Sequence, residues 1–147
     1  MTIEFNKDII DFRDLTERYD ELKDELENLS GKDQGDFGSF DKWVEYIYEN
    51  FFDHNALVDE ITTIKKILDD TAGYGGDVEW QGNWYPLLLI KDSYFAEYAE
   101  DLVKDCGDIP SDIPWFIEKH IDWDGVASEL QIDYGSIEIN DITYWYR

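Results

Sequence analysis

The sequence is short of positive charge. It carries 12 Lys and Arg against 36 Asp and Glu, a formal charge of −24 at pH 7. An imbalance of that size excludes a basic groove able to follow phosphates, and with it direct binding to nucleic acid or to an anionic membrane surface. Cysteine occurs once, at Cys106, so no internal disulfide can form. Long apolar runs are missing too: none approaches the ~18 residues that span a bilayer. The opening MTIEFNKDIIDF lacks a basic start followed by an apolar stretch, and is not read as a signal peptide. Histidine is limited to His54 and His120, which leaves few bases to activate a Ser, Cys or Thr nucleophile.

What is present describes a folded protein. Apolar residues make up 43% and aromatics 16% of the chain, well above the content of a disordered acidic tail. At 147 residues the chain suits one domain, or two small subdomains sharing an interface. The charge is not confined to a tail: residues 1–71 hold 20 acids and 8 bases, residues 72–147 hold 16 and 4. A field of one sign surrounds the molecule, repels further negative charge and favours a basic partner.

The pattern along the chain predicts an α+β fold, with a helical acidic N-terminal part and a mixed part of short antiparallel strands and helices. In DFRDLTERYDELKDELENL, residues 11–29, apolar side chains at Leu15, Tyr19, Leu22, Leu26 and Leu29 step by four and three, the seam of a helix buried on one side. This helix is expected from about Asp8 to Gly31. A second, from about Phe40 to Phe52, repeats the spacing through Trp43, Val44, Ile47 and Phe51. A third, capped around Asp53-His54-Asn55, continues it through Leu57, Ile61, Ile64 and Leu68. DDTAGYGGD, residues 69–77, is the clear break in composition and divides an expected subdomain 1–71 from 72–147. Beyond it, Val78–Trp80 and Trp84–Ile90 read as extended segments around a turn, with Pro86 implying an edge position. A helix follows within DSYFAEYAEDLVKDCG, capped by Asp92 or Ser93 and buried along Phe95, Ala99, Leu102 and Cys106. Pro110 and Pro114 force a connector before a short helix near Trp123–Leu130. The closing GSIEINDITYWYR reads as a hairpin turning at Asn140-Asp141.

Few residues suggest covalent or metal chemistry. Cys106, on the expected apolar line, reads as a packing cysteine rather than a thiolate nucleophile. His54, at a helix junction, and His120, beside Glu118 and Asp122, read as capping or pairing groups. Asp122-Trp123-Asp124-Gly125 and Asp69-Asp70 come nearest to a calcium loop, but neither has glycine at the sixth position with a carboxylate at the twelfth. No metal or cofactor is expected, and no catalysis. The many aromatics read as core and interface, because a stacking platform works beside a positive groove.

The acids are the remaining signal. Carboxylates three or four positions apart on a helix stand ~5–6 Å from one another, and a DNA strand carries a phosphate about every 3.4 Å of axis. The two spacings are of the same order, so a stiff surface lined with Asp and Glu can present a DNA-binding groove with a pattern of charges resembling a duplex backbone. The rows expected to do so are Asp14, Glu17, Asp20, Glu21, Asp24 and Glu25 on the first helix, with Glu97, Glu100, Asp101 and Asp105 on the later one. The competing reading is an acidic surface kept for solubility or high salt, or a generic acidic adaptor.

The C-terminal residues are more specific. Ile109-Pro110, Ile121-Asp122-Trp123, Ala127 with Leu130, and the aromatic Tyr144-Trp145-Tyr146 follow a helix, YFAEYAEDLVKDCG, that ends in glycine. In this order residues 94–147 resemble the closing segment of the ArdA antirestriction family. Residues 1–90 depart from that family, without its usual opening strand and YN-x-G stretch. The resemblance implies an elongated acidic homodimer mimicking B-form DNA in the DNA-binding groove of a type I restriction-modification enzyme. Another DNA-binding defence complex, such as a CRISPR effector blocked by an anti-CRISPR protein, stays open as the target. The lone cysteine, the lack of a long apolar run and the opening residues lead to the expectation of a soluble intracellular protein, in the cytoplasm of a bacterial host cell.

Overall fold

The computed structural model describes residues 2–147. A short strand, β1 (Ile9–Asp11), leads directly into α1 (Phe12–Ser30). The helix thus begins four residues later than the sequence pattern suggests, because Ile9 and Ile10 are claimed by a sheet: they pair antiparallel with Ile90 and Leu89. Asp11 caps α1 through its carboxylate, which accepts the Arg13 backbone N–H. Gly31 closes it in the left-handed conformation at φ 67°, which glycine adopts at no steric cost. The expected seam is realised, with Leu15, Tyr19, Leu22 and Leu26 buried and Leu29 half-buried. Each fully buried side chain of this size contributes about 1.5–3 kcal/mol.

Helices α2 (Phe40–Asn50) and α3 (Asn55–Thr71) complete the N-terminal part. Trp43, the largest fully buried side chain, lies under α2, and its indole N–H donates to the Lys32 carbonyl at 2.9 Å. Ser39 caps α2. The junction before α3 has no side-chain cap, so the capping role expected for the 53–55 stretch is not taken up.

A two-stranded hairpin follows, β2 (Val78–Trp80) with β3 (Asn83–Tyr85), then β4 (Leu88–Lys91). The stretch expected as one extended run from Trp84 is thus two strands divided at Pro86-Leu87. Pro86 lies in the connection rather than in a strand, and β4 is not at an edge. The main sheet has the order β1-β4-β6-β5, all neighbours antiparallel, with β5 (Gly135–Ile139) and β6 (Ile142–Tyr146) forming the expected C-terminal hairpin. Asn140 and Asp141, at φ 51° and 67°, make its two-residue turn, whose twist suits the strands it joins. Between β4 and β5 lie α4 (Phe95–Asp105), α5 (Trp115–Glu118) and α6 (Trp123–Leu130). The four-residue α5 was not legible in the proline-flanked connector.

Alternation along the strands separates two cores. Leu89, Tyr144, Ile137 and Ile139 pack with α1, α2 and α3 on one face of the sheet, while Ile90 and Trp145 pack with α4 and α6 on the other. The molecule is therefore layered, helices on both faces of a four-stranded sheet. The break at 69–77 takes in the end of α3 and the connector after it, and the larger core has residues on both sides of it, from Leu15 to Tyr144. Gly75 sits so close to the β3–β4 connection that a Cβ there would lie 2.1 Å from the Pro86 nitrogen. Tyr144, at the centre of the sheet, places its hydroxyl 2.9 Å from the Phe5 carbonyl and 2.6 Å from that of Lys7, fastening the N-terminal segment.

Candidate partner-binding surface

The outer side of α1 is built by subtraction. Its seam fixes which positions face the core, and Glu17, Asp20, Glu21, Asp24 and Glu25 are left exposed, with Asp14 half-buried. The three bases of the helix do not neutralise this row. Arg13 is held by Asp11, with Nη2 and Oδ2 at 2.6 Å. Arg18 turns inward to Glu60 and shares only its Nη1 with Glu21, at 3.1 Å. Lys23 reaches Glu27 at 4.0 Å. Among the described residues, Asp14, Glu17, Asp20, Asp24 and Glu25 form no ion pair. The 19 residues of α1 rise about 28 Å, roughly eight base pairs of duplex.

Packing adds acids that sequence spacing could not place. Burial pushes the Tyr19 hydroxyl up to about 12, aided by the charges of Asp69, Asp20 and Glu27. Asp69, from the end of α3, acts on that hydroxyl from the neighbouring helix, although Lys65 holds it at 2.6 Å. Only the packing of α3 on α1 reveals this, since nothing in either helix sequence names its neighbour. The carboxylate of Asp20 also accepts the Trp80 indole N–H at 3.3 Å, so the β2–β3 hairpin steadies one charge of the row.

On α4 the stripe Glu97, Asp101 and Asp105 is exposed at steps of four. Glu100 is half-buried and lies 3.6 Å from Lys104, which in turn meets Glu118 of α5 at 2.6 Å. That bond to Glu118 holds the Lys104 ammonium above its usual range. The α1 and α4 rows stand on opposite sides of the sheet. The structure brings together the residues within each row and keeps the two rows apart.

Other expected sites change on folding. Cys106 is exposed rather than buried: α4 ends at Asp105, which leaves Cys106 at its C-cap rather than on the buried line. His54 and His120 are exposed. No cluster of three or more His, Cys, Asp or Glu able to hold a metal ion occurs among the described residues, and no helix among them is long and apolar enough to cross a membrane. A groove of about 650 Å³ lies between the N-terminal segment and α3 at Ile3, Phe5 and Leu57, and no residue of either acid row lines it. The chain matches no protein-family model, no curated protein and no solved structure.

Proposed function

We propose that this chain is a non-catalytic DNA mimic that occupies the DNA-binding groove of a host defence enzyme, with a type I restriction-modification complex as its target. The observation that carries the reading is the α1 row: carboxylates of which Asp14, Glu17, Asp20, Asp24 and Glu25 form no ion pair among the described residues, held on a helix whose opposite side is locked in the core. Lys and Arg of a DNA-binding groove would pair with these acids instead of phosphates, and the net charge of −24 would steer association. Such a protein works where the enzyme works, in the cytoplasm of the host cell. The terminal resemblance to the ArdA family supports the same target class.

The test is restriction of unmodified DNA by a purified type I enzyme in the presence of the protein. Wild type is expected to block cleavage at near-stoichiometric amounts. A row variant, Glu17→Lys with Asp24→Lys and Glu25→Lys, is expected to lose inhibition far more than a control reversing the scattered exposed acids Glu45, Asp53 and Glu138. Equal losses would contradict a shaped mimic, leaving a merely acidic surface.

A further inference from the structure

The segment between α4 and α6 carries an unusual exposure. Trp115, Phe116 and Ile117 follow one another on α5 and are 71%, 54% and 49% exposed. Consecutive helical residues point about 100° apart, so the three present an apolar knob rather than one face turned inward. Nothing in the fold requires this. Burial of even one of these side chains would add stability, and single exposed apolar residues are ordinary where a contiguous group is not.

The knob is held rigidly. Pro114 fixes the backbone ahead of it, and its carbonyl accepts the N–H groups of Ile117 and Glu118 at 3.0 Å each. Glu118 is tied to Lys104 of α4. The rings of Trp115 and Phe116 meet edge to face at 6.0 Å, and the Lys119 ammonium stands 5.0 Å over the Trp115 ring. Beside them, Trp115, Ile121 and Trp123 line an open groove of about 360 Å³ whose wall also includes Glu100, a member of the α4 acid row. The aromatic anchor thus borders one acid of the α4 row, Glu100.

Charge decides what covers it. Residues 105–124 contain six acids and one base, Lys119. At this surface a second copy of the chain would bring the same acidic border against this one, like charge against like. An apolar pocket bordered by Lys and Arg fits both the knob and its rim. We infer that α5 is a docking anchor for the basic enzyme whose groove the acids enter: Trp115 and Phe116 seat in an apolar pocket at the margin of that groove while the α4 stripe pairs with its cations. This rests on the DNA-mimic reading above and adds to it a part of the contact that salt does not screen. Rigid, pre-ordered aromatic anchors are the side chains that commonly dominate interface energetics.

The experiment is a binding titration of a purified type I methyltransferase complex with the full chain across a series of salt concentrations. Trp115→Ala combined with Phe116→Ala is expected to weaken binding roughly 30-fold at every salt concentration, the loss typical of a hot spot, with the salt slope unchanged. Glu97→Lys with Asp101→Lys is expected to flatten the slope instead. Circular dichroism and the urea midpoint of the aromatic variant should match wild type, since both side chains lie outside the core. If wild type binds and the aromatic variant binds equally well, the anchor is overturned and the mimic stands. If wild type does not bind, both fall. If sedimentation shows the free chain as a dimer that the aromatic substitutions convert to monomer, α5 is a self-interface and the anchor is again overturned.

Discussion

Arg18 of α1 and Glu60 of α3 form a two-pronged ion pair inside the protein. Nε donates to Oε2 at 2.8 Å and Nη2 to Oε1 at 3.0 Å, with both side chains 8% exposed. Glu60 also accepts the Ile3 backbone N–H at 2.9 Å. A chain with 12 bases thus places one of them within the fold, where it is largely withdrawn from the exposed acids of α1.

Removing one member of this pair leaves the other buried and uncompensated, which typically costs 3–5 kcal/mol. Arg18→Met is therefore expected to lower stability by about 3 kcal/mol in urea unfolding. Adding Glu60→Leu should recover most of the loss, less the bond to Ile3. A single variant as stable as wild type would show that water reaches the site.

High pH should unfold the protein through its buried phenols. Burial pushes Tyr19, Tyr98 and Tyr144 up to about 12, from an ordinary value of 10.0. A raised pKa means that the folded state keeps the proton more firmly. The associated stability is fully present below pH 10.0 and is lost as pH rises through about 12. Urea midpoints measured across this window, with tyrosinate absorbance recorded in parallel, should fall together with the appearance of tyrosinate. Free titration of all the tyrosines near their ordinary value, in a still-folded protein, would contradict the packing described.

Salt should stabilise the free chain. At −24, self-repulsion opposes compaction, and it weakens as the Debye length shortens from ~30 Å at 0.01 M to ~10 Å at 0.1 M. The melting temperature is expected to rise by several degrees between these conditions, with the protein folded at both. Unfolding in dilute buffer would instead favour an acidic surface adapted to high salt.

Close backbone approach gives a further prediction. Gly75→Ala would drive a Cβ into the Tyr85–Pro86 peptide, and backbone cannot swing aside as a side-chain tip can. A loss of about 2 kcal/mol is expected, in the range of overpacking substitutions, whereas Gly76→Ala, with open space around it, should be nearly silent.

The helices were legible because their seams are local. Leu15 to Leu26, Trp43 with Ile47, and Ile61 to Leu68 each satisfy a helical period within their own segment, and Asn140-Asp141 announces its hairpin in the same way. β1 was not, since three residues that join a sheet through a partner some 80 positions away leave no periodic trace. Cys106 misled for a related reason: it keeps the period of α4 but is the cap of that helix, past the buried positions Phe95 and Ala99. Of the candidate acids, exposure on α1 followed from the seam. Their separation from the α4 row by the sheet did not, because which face a helix covers depends on strand alternation and crossover. The exposed aromatics of α5 were hidden by the ordinary expectation that large apolar residues pack inward.

The most direct test of the central claim is competition for the DNA groove itself. Labelled duplex DNA bound to a type I restriction-modification enzyme at near-physiological salt is titrated with the protein. Release of the DNA at about one equivalent of protein per DNA-binding site is the result expected of a mimic that fills the groove. Binding of the protein to the enzyme with the DNA still in place would contradict it.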